Sequence, residues 1–329
     1  MALSGWASDL YGRKRIMILS LVLAAVPAFL FTLVGNLWIL ILLGVIYAMS
    51  FAVFVPARIA YIADSSKSAS LARTYGYMNL AFPIGTLVGP TVAGLLADMG
   101  GFSYPFYFVV LVSLFCFVPA IRIFERSITR RDSGRDGVGI SGLSREDLNI
   151  LLILTIYQFL VSAGIGAVHS FLPIYLSDVF LVDKLYVGVF FSVVGIALFG
   201  SQLFGGWACT RFGMKKIMLT CLSLIVPFFI VCSFAPNYQL FTICYMALFG
   251  LYGTTWPAAV TMFTSTIESS KRGFVTGIRQ MGVRLGFTVG PAIGGFLWAT
   301  FGPAASFYAS AILILVSMVF LFQIKENER

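Results

Sequence analysis

Histidine and acidic side chains are what this chain has least of. One histidine, His169, stands in 329 residues, and the five cysteines (Cys116, Cys209, Cys221, Cys232, Cys244) all fall in apolar runs without a Cys-x-x-Cys pair. Metal clusters and disulfide frameworks are therefore not expected, and the cysteines read as packing residues. Only 13 Asp and Glu are present, none of them in the middle of an apolar run. Charged residues of both signs make up 11% of the chain, where a soluble domain averages about 25%. An ordinary water-soluble domain is excluded on that ground. Nucleophile–base pairs and phosphate-cradling glycine loops are missing as well, so an enzyme is not expected.

What is present is apolar. Hydrophobic residues make up 59% of the chain, with 32 Phe and 32 Gly. Apolar segments run over 16–35, 37–63, 74–97, 103–124, 148–176, 185–208, 215–234, 238–266, 274–299 and 304–324. Each is long enough to cross about 30 Å of hydrocarbon as a helix. The expected fold class is all-α and polytopic, with ten complete spans and a stub at 1–8. Arg13-Lys14-Arg15 followed by an apolar run imitates a signal peptide, but the run continues to Val34 and an equivalent stretch recurs mid-chain.

That recurrence is general. Shifted by 201 residues, GWASDLYGRKRIM at 5–17 falls on GWACTRFGMKKIM at 206–218, Asn36 on Asn237, and Pro56-Ala57 on Pro257-Ala258. The same shift pairs Gly76, Gly85, Gly89-Pro90 and Gly94 with Gly277, Gly286, Gly290-Pro291 and Gly295. Two copies of one long apolar unit are the pattern of a duplicated transporter with its solute site between the halves. The expected division is an N-terminal bundle at 1–124, a polar linker at 125–146 and a C-terminal six-helix bundle at 147–329. The second copy starts its first helix near Leu148, so two further helices, roughly fifty residues, are expected to precede Met1.

Basic residues give orientation. Eighteen Lys and Arg fall in alternate loops, the linker and the tail, against Lys184 alone in the opposite loops. Basic loops mark the cytoplasmic side, so the loops around Arg13 and Lys215, the linker and the C-terminus are expected there, in a plasma or inner membrane. The net charge of +9 is accounted for by topology, and a nucleic-acid partner is not expected. The expected partners are the lipid bilayer and a small-molecule solute, with the chain a monomer.

Gly5 to Arg15, with Gly5, Asp9, Gly12, Arg13 and Arg15 at its fixed positions, resembles the loop signature of the major facilitator superfamily. Gly206, Gly213 and Lys215 repeat it, with Thr210 in place of the aspartate. The stretch Gly76–Gly94 resembles that superfamily's antiporter motif, with Ala93 standing for one glycine. The second copy, through Gly277, Gly286, Gly290, Pro291, Gly294 and Gly295, matches at every fixed position. The resemblance spans the chain and points to the drug:proton antiporter-like branch. It implies that Asp9 latches the outward-facing state against basic loop residues and a helix N-terminus. The glycines, Gly85, Gly89 and their mates among them, are expected to permit close helix contact between the halves, with Pro90 and Pro291 allowing a bend.

Four potentially cationic groups lie within spans: Arg58, His169, Arg279 and Arg284. Burying an arginine at the bilayer centre costs at least ~3 kcal/mol unless it is paired or hydrated. Arg284 lies about 16 Å along its helix and is the first candidate ligand; Arg58 is the second. Arg279, nearer the surface, is expected to be a structural residue or to snorkel. His169 is a candidate proton site, and Tyr157, Gln158 and Trp256 are candidate pocket residues. An electropositive cavity favours an anionic solute. No cofactor or metal is expected; proton or ion coupling stays open, since Gly44 occupies the position where the antiporter branch carries an arginine. The expectation is therefore a secondary transporter working by alternating access, with efflux or antiport favoured. The competing expectation is an N-terminally truncated, non-transporting fragment or partner-binding remnant.

Overall fold

The computed structural model describes residues 12–65, 71–122, 145–265 and 272–324. Gly5, Asp9 and most of the linker lie outside them. The described residues contain helices and no strand. In chain order these are α1 (Arg13–Phe31), α2 (Leu37–Ser65), α3 (Leu71–Gly100), α4 (Ser103–Arg122), α5 (Arg145–His169), α6 (Leu172–Val179), α7 (Lys184–Phe212), α8 (Met214–Ser233), α9 (Tyr238–Ser265), α10 (Arg272–Phe301) and α11 (Pro303–Phe322). Helices satisfy their own backbone groups, which is why unbroken apolar runs become helices where no water is at hand. Eight segments are long and apolar enough to cross a membrane, α5 and α6 counting as one. The two long helices outside that set, α3 and α10, carry the glycine motifs and span 30 residues each.

The apolar run at 148–176 is broken where a single span was expected. Helix α5 ends at His169, Phe171 N–H bonds to Val168 O at 3.0 Å, and α6 restarts with Pro173 in its first turn. Pro173 has no N–H to continue the ladder, so the turn tightens and the chain begins a new helix. Its ring then serves as the first-turn residue of α6.

The chain forms two compact units, residues 1–135 with 184–188, and residues 136–183 with 189–329. In the first, α1 packs on α2 and α4, with Phe31 and Phe106 rings 5.3 Å apart. The start of α7 belongs to this unit. The Asp98 carboxylate accepts the N–H of Lys184 at 3.2 Å and of Leu185 at 2.8 Å, capping the helix from another segment. In the second unit α10 and α11 pack on α5, and α9 and α11 on α8. Serines tie the buried face of α11 down: Ser310 Oγ donates to Gly164 O at 2.6 Å and Ser306 Oγ to Gly294 O at 2.9 Å. Such bonds supply the affinity between helices that apolar contact alone does not give in lipid.

The internal repeat is visible in backbone geometry. Gly12 and Gly213 have φ/ψ of 89/141° and 89/145°. Gly101 and Gly302 have φ of 84° and 87°. These four are the described glycines with positive φ, and 201 residues separate the members of each pair. Asn36 and Asn237 cap α2 and α9 alike, each Oδ1 accepting a backbone N–H at 2.9 Å. Large apolar side chains face outward, with Leu203 at 83% and Phe115 at 79% exposed, a surface suited to hydrocarbon and not to water.

Candidate functional site

The loop motif meets the structure at its second half. Gly12 is buried, Arg13 half-buried and Arg15 exposed. In the second copy, Gly206 has open space around it, while Gly213 makes the left-handed turn into α8. Lys215, two residues on, reaches the end of α11, its Nζ donating to Phe322 O at 3.0 Å and to Ile324 O. A cation on the last carbonyls of a helix satisfies orphan acceptors and complements the dipole.

The glycines of α10 form a stripe at four-residue spacing, and the contact they permit lies within their own unit, against α5. A Cβ at Gly282 would meet Thr155 O at 3.0 Å, and one at Gly286 would meet Phe159 O at 2.5 Å. At Gly290 it would lie 3.0 Å from Ala163 Cα, and at Gly294 2.9 Å from Ala167 Cα. Gly295 approaches the Phe171 ring at 2.8 Å, and Gly277 has no neighbour within 4 Å. The first copy differs. A Cβ at Gly85 or Gly89, the mates of Gly286 and Gly290, would meet nothing within 4 Å, although one at Gly94 would lie 2.5 Å from Lys184 O. Pro90 and Pro291 both sit inside their helices. Gly76 lies on α3 with its surroundings undescribed.

The in-span polar residues separate into groups. Arg58 is half-buried, its guanidinium 5.8 Å from the Phe54 ring centroid. Arg284 is exposed on α10. His169 closes α5, with Nδ1 3.2 Å from the Tyr245 hydroxyl, its ring stacked 4.9 Å from Phe249 and edge-on to Phe191. Tyr157 is 1% exposed and belongs to the core.

Gln158 and Trp256 do come together, around a residue expected to be structural or to snorkel. Arg279 is 5% exposed: it is turned inward, into a cleft lined by Gln158, Tyr252, Thr255, Trp256 and Ala259. Tyr252 and Arg279 line the same cleft. Gln158 Nε2 approaches Ser162 Oγ at 3.5 Å. The Trp256 ring stands 6.1 Å from Tyr252 and is 39% exposed. Among the described residues, no carboxylate is placed on Arg279. Burying a cation among neutral groups costs free energy that a negative charge beside it would offset. Tyr252 and Thr255 were absent from the sequence expectations. Their signal was there, since Tyr252, Thr255, Trp256 and Ala259 recur on one face of α9 at helical spacing.

Duplicated, helical and apolar on its outside, the chain is a polytopic membrane protein of the solute-carrier kind. It belongs to the major facilitator superfamily, whose sequence profile matches residues 1–148 and 154–329, and whose members are transporters and not enzymes. It is 26% identical over 298 residues to the quinolone resistance protein NorA of Staphylococcus aureus (strain COL), covering 89% of this chain and 76% of that protein. Identity to the multidrug resistance protein MdtG of Proteus mirabilis is 25% over 322 residues, covering 96% and 79%. Among solved structures, the nucleoside transporter NupG superposes with a TM-score of 0.80 at 14% identity, covering 98% of this chain and 85% of that one. A bacterial homologue of the human lysosomal transporter Spinster gives 0.75 at 17%, with the same coverage. These structural likenesses concern the fold.

Proposed function

We propose that this protein exports a small organic solute bearing an acid group across the cell membrane, by alternating access coupled to ion exchange. The observation that carries the anionic preference is Arg279, a buried guanidinium among neutral polar groups. Export is supported by the antiporter motif at Gly76–Gly94 and Gly277–Gly295 and by relatives named for quinolone and multidrug resistance. The basic loops, linker and C-terminus face the cytoplasm, in keeping with the eighteen-to-one distribution of basic residues. Asp9 acts as the cytoplasmic latch; Asp9→Asn slows transport and leaves membrane insertion unchanged. The test is counterflow in proteoliposomes with labelled organic acids and lipophilic cations. Preference for cations, unaffected by changing Arg279, Arg284 and Arg58, would overturn the anionic assignment.

The open face at Gly85 and Gly89 favours a second reading, in which the chain folds but does not transport on its own. The two part on one measurement. The first requires solute movement by the 329-residue chain, and the second requires none until a further helix is supplied against that face.

A further inference from the structure

We propose that the α5–α9–α10 cleft binds the carboxylate of a singly charged aromatic acid, with Arg279 holding the head group and Trp256 the ring. The proposal rests on the transport reading and names its solute class.

Charge selects the head group. The volume open to the centre of a water molecule in the cleft is about 10 Å³, room for about one water, so a head group enters by displacing that water and spreading the lining. One guanidinium supplies one positive charge, and the remaining polar lining (Gln158, Tyr252, Thr255) is neutral. A carboxylate matches that charge and takes two parallel N–H bonds from an arginine. Its remaining lone pairs face the Tyr252 hydroxyl and the Gln158 amide, both able to donate. A phosphate monoester brings a second charge for which the lining has no second cation.

The body of the solute is selected at the mouth. Trp256 is the most exposed of the lining side chains named here and stands beside Tyr252. Ala259 and Val283 add apolar lining, so with Trp256 the cleft offers a surface for a planar ring. An aliphatic acid would gain the head-group contact and lose the platform. A protonated amine would meet Arg279 as a like charge.

The experiment uses the whole chain in detergent and reads binding, not transport. The probe is 2-naphthoate, followed by tryptophan fluorescence quenching and by thermal stabilisation, against 2-naphthylmethanol, 2-naphthylmethylamine and 2-naphthyl phosphate. We expect naphthoate to bind at least tenfold more tightly than the other three. Arg279→Gln should weaken it tenfold or more, Arg279→Lys less, and Tyr252→Phe by a few-fold with the fold intact. Trp256→Phe should abolish the quench while stabilisation persists. Naphthoate binding unaltered by Arg279→Gln and Tyr252→Phe, or equal binding of the alcohol or amine, overturns the proposal. Binding with no solute movement in proteoliposomes counts against the transport reading alone. Solute movement without naphthoate binding counts against this inference alone.

Discussion

Replacing Gly290 or Gly89 with alanine should have opposite effects, although the two residues occupy the same place in the repeat. At Gly290 the new Cβ would lie 3.0 Å from both Cα and the carbonyl carbon of Ala163, and closer still to its oxygen. These are backbone atoms of a packed helix and have no rotamer in which to withdraw. To restore normal contact, α10 and α5 must separate by about half an ångström to an ångström, and overpacking of this kind costs roughly 1–3 kcal/mol. The gain in helix propensity, at most about 1 kcal/mol, offsets only part. At Gly89 nothing lies within 4 Å, so the propensity gain stands alone and the variant should be unchanged or slightly more stable. The propensity gain is common to both, so the difference between the two variants should be the overpacking cost, roughly 1–3 kcal/mol. Thermal unfolding of detergent-purified protein measures it, with Gly290→Ala melting several degrees below the parent and Gly89→Ala at or above it. Equal destabilisation by both would refute the reasoning, since it would mean that α3 has a packed partner on that face.

The turn glycines should behave as a matched pair: Gly12→Ala and Gly213→Ala each force a side chain into a backbone region reserved for glycine, costing about 1–3 kcal/mol apiece, and thermal melts should show similar losses. Lys215→Ala removes two charge-assisted bonds from the end of α11. It should cost about 1–2 kcal/mol and be seen as faster proteolysis near residue 324, with Lys215→Arg largely restoring protection. Asp98→Ala uncaps α7 and should cost about 1 kcal/mol, read as faster hydrogen exchange at the Lys184 and Leu185 amides. His169→Gln should preserve ion-coupled transport, because His169 is packed among Tyr245, Phe249 and Phe191 with no acidic neighbour among the described residues. Loss of coupling in that variant would assign the proton role to it.

The helices were legible because hydropathy and helix length answer to the same bilayer. Spans expected at 37–63 and 238–266 are α2 at Leu37–Ser65 and α9 at Tyr238–Ser265. Where boundaries differ, the helix extends past the apolar run into charged residues, as α1 does by starting at Arg13. Hydropathy marks where lipid ends, and hydrogen bonding continues a turn further. The break after His169 was not legible by hydropathy, since Leu172, Pro173 and Ile174 keep the run apolar; Pro173 was the mark that a change of helix carries. Of the two roles expected of Arg279, structural or snorkelling, burial leaves only the first, and the reason snorkelling failed is different. Counting residues locates a Cα along the helix, but the direction of the side chain depends on Gln158 and Tyr252, which come from two other helices.

Comparing the copies shows which positions the duplication kept and which it released. The turn glycines, the capping asparagines and most of the motif glycines recur at both places, because backbone geometry admits few alternatives there. The cleft-lining positions do not. Phe51 stands where the second copy has Tyr252, Phe54 where it has Thr255, Val55 where it has Trp256, and Met78 where it has Arg279. The equivalent surface of the first unit is therefore apolar, with one exception. Arg58 occupies the place of Ala259, which lines the cleft in the second unit. Each copy thus brings one arginine to the same region of the repeat from a different helix, α10 in one and α2 in the other. Burying a charge costs more than packing an apolar residue at either place, which is the ground for the anionic solute proposed above; the head group is assigned to Arg279 because it alone of the two is fully withdrawn from the surface.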